Sequence, residues 1–135
     1  MATRSRSAIV ELLFVFFAVF ALQYAATLVE TLSSFVGLVG GLFVLSPPLT
    51  DNPWTIVTSV YAHADIGHLL SNSVALVLFG WPVARATSRL RFHIFFLLSG
   101  VLAGVVQVLT PLFLDGLPII GAEPTGVLGA SGGVF

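Results

Sequence analysis

A serine set among glycines, Gly129-Ala130-Ser131-Gly132-Gly133, and a polar run, His63-x4-His68-x3-Asn72, are the groups in this sequence whose types and spacing suit chemistry. A serine hydroxyl is a nucleophile for acyl transfer, and flanking glycines let another backbone or side chain come close to it. At a helix start the same serine lies beside unpaired N–H groups that can hold a developing negative charge. The stretch also satisfies G-x-S-x-G, but that pattern means a nucleophile elbow only between a strand and a helix of a soluble sheet, and the surroundings here contradict it. Helix packing is the other reading, because Gly129 and Gly133 form a small-xxx-small pair, as do Gly100 and Gly104. On a helix His68 and Asn72 project from one face, and His63, in the lead-in, can fold towards the same place. Buried in lipid, such groups are costly unless they face protein or a wet cavity. They either hydrogen-bond neighbouring helices or form a site. The spacing of the histidines is not H-E-x-x-H and only Asp65 offers a nearby carboxylate, so no metal is expected.

The elements that must carry these groups are membrane helices. Of the 135 residues, 57% are hydrophobic and 8% charged, with a mean hydropathy of +1.07, against about 25% charged in soluble domains. The net charge of −1 argues against nucleic acid, and without cysteine there is neither a disulfide framework nor a thiolate metal site. A first span is expected over about residues 8–29, interrupted by Glu11 and Gln23. A signal peptide is its rival, given Arg4 and Arg6, but the run is long, carries Glu11 and lacks a clean A-x-A site. The shorter piece from Phe35 to Leu45 is too short to cross and reads as interfacial or re-entrant, and Asp51 to Trp54 as a loop. A second span over about 66–84 begins after Asp65, a good N-cap, with Gly80 and Pro82 near its far end where a break is tolerable. A third covers about 92–114, and a fourth starts at 129. The fold class is therefore all-α: one polytopic membrane bundle over residues 1–135, with three full spans, the start of a fourth and an interfacial first loop. All five basic residues lie at the N-terminus or between the second and third spans, which sets both regions in the cytoplasm. His63, His68 and Ser131 then share the extracytoplasmic side. Gln107 is expected to be an interhelical hydrogen-bond partner and His93 to be interfacial.

These residues resemble the rhomboid intramembrane serine proteases. His63-Ala64-Asp65-Ile66-Gly67-His68-Leu69-Leu70-Ser71-Asn72, followed by Gly80, is similar to the family's second-span signature, Gly129-Ala130-Ser131-Gly132 to its G-x-S-G motif, and Trp54 to Ser59 to the aromatic segment before span two. The resemblance implies that Ser131 is the nucleophile, that His68, Asn72 and the Ser131 N–H hold the oxyanion, that Gly129 shapes that loop and that His63 lines the same wet cavity. It further implies transmembrane protein substrates within the lipid bilayer, and no cofactor. Two positions depart from the pattern: Ala84 stands where a glutamate is common, putting helix-end anchoring in doubt, and Thr55 where an arginine often follows the tryptophan, weakening the usual loop contacts. The family's base is a histidine on a sixth span, and no histidine follows Ser131, so the 135 residues alone are expected to be inactive. A non-catalytic client-binding relative and a transporter fragment are the alternative readings.

Overall fold

The structure, a computed structural model, describes the backbone of residues 2–114 and the side chains of residues 8–110. The fourth span and the serine motif, with Gly129 and Ser131, lie outside the described residues. Five helices follow in order: α1 (Ala2–Ser33), α2 (Leu38–Phe43), α3 (Thr55–Tyr61), α4 (Ile66–Ala86) and α5 (Arg89–Leu114). Three stretches are long and apolar enough to cross a membrane, Ala8–Ser33, Ile66–Ala86 and Arg89–Thr110. The protein is a multi-pass integral membrane protein, and its outward side chains, such as Phe14, Leu22, Val74, Leu78, Leu98 and Leu102, are exposed to contact lipid.

The spans alternate in direction. The start of α1 (Ala8, Ile9, Leu12) shares a buried cluster with the end of α4 (Ala84) and the start of α5 (Phe92, Phe96). Helix α1 packs more against α4 than against any other described helix, whereas α4 and α5 touch little. They meet at Gly80, where a Cβ would lie 3.3 Å from the Phe92 ring. No break occurs at Pro82, which lies inside a continuous α4. Its missing N–H withholds a single bond near the helix end, where neighbouring packing compensates.

Between α1 and α4 the chain folds back as α2 and α3. Six residues of helix, about 9 Å, leave α2 far short of crossing. Gly37, with φ 92°, sets its N-terminus in the left-handed region open to glycine, and the Glu30 carboxylate accepts the Val39 N–H at 3.0 Å. The loop reading before the second span omits α3. Its sequence, Thr55 to Tyr61, is rich in β-branched residues, which favour helix weakly. Tertiary packing decides instead: Thr55, Ser59 and Val60 are buried, and α3 packs on α5. The substitution of Thr55 for an arginine does not leave the loop loose. Trp54 Nε1 donates to the Gly41 carbonyl at 2.8 Å, Thr58 Oγ1 to the Leu42 carbonyl at 2.6 Å, and Thr55 Oγ1 to the Asn52 carbonyl at 2.6 Å.

The small residues of α5 receive this inserted loop. A Cβ on Gly100 would lie 2.5 Å from Val60 Cγ1, and one on Gly104 would lie 3.3 Å from Leu45 Cδ2. Gly100→Ala is accordingly expected to destabilise the fold by about 1–3 kcal/mol, read as a lowered midpoint of thermal unfolding in detergent. Val60→Ala in the same chain should recover most of that loss, and an unchanged midpoint in the single variant would contradict the contact.

Candidate functional site

Two polar belts cross the apolar bundle, one near each end. Glu11 on α1 accepts from Arg89 Nε at 2.8 Å and meets His93 Nε2 at 2.9 Å, both on α5. This belt ties the first span to the third at the arginine-bearing end, so Ala84, itself buried, leaves that end anchored by other groups. His93 is thus an interhelical partner as well as a half-exposed one. Gln107 is exposed among the described residues; the glutamine that joins α1 to the α3–α4 link is Gln23.

Gln23 belongs to the other belt, twelve residues or about 18 Å further along α1. There the α3–α4 link turns inward at His63, which is 1% exposed. The His63 N–H donates to Gln23 Oε1 at 2.9 Å, and Gln23 Nε2 donates to the His63 carbonyl at 3.2 Å. The His63 ring stands edge-on to Phe16, centroids 4.9 Å apart, and edge-on to His68 at 5.4 Å.

The start of α4 fixes His68. Asp65, in extended conformation, accepts the His68 N–H at 2.9 Å as N-cap. The His68 ring turns back so that Nδ1 accepts the Ala64 N–H at 3.4 Å. One turn on, Asn72 shares the helix face of His68 and is 3% exposed. Its Nδ2 and both ring nitrogens of His63 are buried without a hydrogen-bond partner among the described residues. Buried polar atoms are seldom left so. Donors held ready and unspent are what a polar group brought into the site would need.

Burial pushes the His63 ring down to about 4, the neighbouring His68 acts in the same direction, and the Tyr61 backbone opposes both. His63 is therefore neutral at pH 7 and suited to lining a cavity rather than carrying charge. The unfolded chain takes up this proton near pH 6.5, whereas the folded chain resists until about 4. Stability should fall as pH is lowered through that window. Thermal unfolding between pH 7 and 4 should show a slope that flattens in His63→Phe, and an equal slope in both chains would contradict it.

The structure thus sets the His63 ring against His68, with Asn72 one turn further along α4 on the face of His68. Gln23 and Phe16 were not singled out from the sequence as site residues. Gln23 carried a signal, being a lone carboxamide deep in an apolar span, whereas nothing in the sequence distinguishes Phe16 from the other phenylalanines of α1.

Comparison with known proteins places residues 50–135 in a match to the family model described as Rhomboid domain. Over 52 residues the chain is 40% identical to RHOMBOID-like protein 12, mitochondrial, of Arabidopsis thaliana, covering 38% of this chain and 15% of that protein. Over 86 residues it is 33% identical to Inactive RHOMBOID-like protein 8 of the same plant, covering 61% of this chain and 24% of that protein. The chain therefore spans about a quarter or less of the length of these relatives. No solved structure is a significant match.

Proposed function

This chain belongs to the rhomboid family, and from that premise we propose that it is part of an intramembrane serine endopeptidase acting on transmembrane protein substrates. The observation that carries this reading is the buried Asn72 amide nitrogen, without a partner among the described residues, one turn along α4 from the paired rings of His63 and His68. Such a group matches an oxyanion site awaiting its ligand, and Ser131 stands in the G-x-S-G context that supplies a nucleophile.

In the proposed reaction Ser131 Oγ attacks the scissile carbonyl carbon and its proton passes to a base. Asn72, His68 and the Ser131 N–H then donate to the oxyanion, with Gly129 shaping the loop. Collapse expels the amine and leaves an acyl-enzyme that water resolves. One oxyanion donor is worth about 10²–10³ in rate. The resemblance to the family implies that the base is a histidine on a later span and assigns His63 and His68 to the oxyanion side. Because one relative bears the name inactive, a non-catalytic, client-retaining role is the second reading, and it predicts that Ser131→Ala changes no interaction.

By the positive-inside rule the Arg85, Arg89 and Arg91 end is cytoplasmic and the site faces the extracytoplasmic side. Residues 1–135 contain no cysteine, so single cysteines introduced into them report this orientation. Ala64→Cys should react with an impermeant maleimide added outside cells, and Ser88→Cys only after the membrane is opened; the reverse pattern would overturn the orientation. For the activity, the full-length protein in liposomes with a single-span substrate should yield fragments cut in or near the span, at a rate that a chelator leaves unchanged. Loss of cleavage on chelation would contradict the metal-free mechanism, and failure to cut any single-span substrate would favour the client-binding role.

A further inference from the structure

We propose that Gln23 is a positioning residue for this site: from the first span its amide grips the main chain of His63 and so holds the His63 ring between Phe16 and His68. The inference rests on the protease reading above and assigns a role to a helix outside the segment that matches the family, residues 50–135. His63 lies in the link between α3 and α4, where no helix supplies partners for its backbone. Both of its main-chain groups are satisfied by one side chain 40 residues away, the N–H by Gln23 Oε1 at 2.9 Å and the carbonyl by Gln23 Nε2 at 3.2 Å. Gln23 is 6% exposed, so water does not compete for these bonds.

A carboxamide is the side chain that offers a donor and an acceptor side by side without charge. Replacing it with an apolar group strands a buried N–H and a buried carbonyl, and the link must move to find water or new partners. The His63 ring, whose nitrogens have no hydrogen-bond partner among the described residues, is located by this main-chain grip and by its contacts with Phe16 and His68. Moving it shifts His68, the oxyanion donor of the proposed mechanism. Catalysis should suffer more than substrate binding.

The test uses the full-length protein in liposomes and a fluorogenic single-span substrate, at a temperature where each variant is folded by its thermal transition. Gln23→Leu should lower kcat at least tenfold with KM within about twofold. Gln23→Glu keeps the shape, and its protonated carboxyl again offers both a donor and an acceptor, so its rate relative to wild type should rise as pH falls. A kcat in Gln23→Leu within twofold of wild type overturns the proposal, as does a Gln23→Glu ratio that is flat with pH, which also decides the matter should Gln23→Leu not fold. If wild type itself cuts nothing, the protease reading fails, and exchange of the His63 amide proton still decides the positioning claim: protection lost in Gln23→Leu supports it, and protection retained overturns it.

Discussion

Ser131→Ala in the full-length protein is expected to lower cleavage of a single-span substrate on the order of 10⁴-fold or more. The argument is chemical. Acyl transfer through a covalent intermediate has no substitute for the attacking oxygen, and a methyl group in its place leaves only the binding and polarising power of the rest of the site. Removing one hydroxyl beside Gly132 and Gly133 takes away little volume, so the variant should accumulate in the membrane as wild type does. The check is the rate of product formation in liposomes at matched protein content. A residual rate within tenfold of wild type would mean that Ser131 is a packing serine after all.

Asn72→Ala should lower kcat by about 10²–10³ with KM little changed, because an oxyanion donor acts on charge present in the transition state and not in the bound substrate. The structure sharpens this expectation. The Asn72 amide nitrogen is buried and donates to no described residue, so truncation removes no bond from that nitrogen to the described helices. Asn72→Asp should be at least as slow, since a carboxylate accepts where the oxyanion needs a donor. Equal kcat with raised KM in Asn72→Ala would instead mark Asn72 as a substrate-binding group.

The all-helical, multi-span architecture was legible because hydrocarbon imposes it: long apolar runs with charges at their ends admit few other folds. The Asp65 cap was legible for a local reason, a short carboxylate three residues before the N–H it accepts. What composition could not reveal was pairing over distance. Glu11 with His93 and Gln23 with His63 join residues 82 and 40 apart, and in the sequence each acidic or amide group looks like a blemish in its span. Helix α3 was hidden for a related reason, since its residues favour helix weakly and are held by packing against Gly100. Of the candidate site, the spacing of His63, His68 and Asn72 could be read from the sequence, whereas the support of His63 from α1 could not, because the partner Gln23 lies on a different span.

The central claim is that Ser131 is a nucleophile, and the most direct measurement is to treat the full-length protein in liposomes with a fluorophosphonate and locate the adduct by peptide mass spectrometry. The account predicts one adduct, on Ser131, lost in Ser131→Ala and formed more slowly in Asn72→Ala. A protein that cuts its substrate yet carries the adduct on another serine, or that carries none, would contradict it.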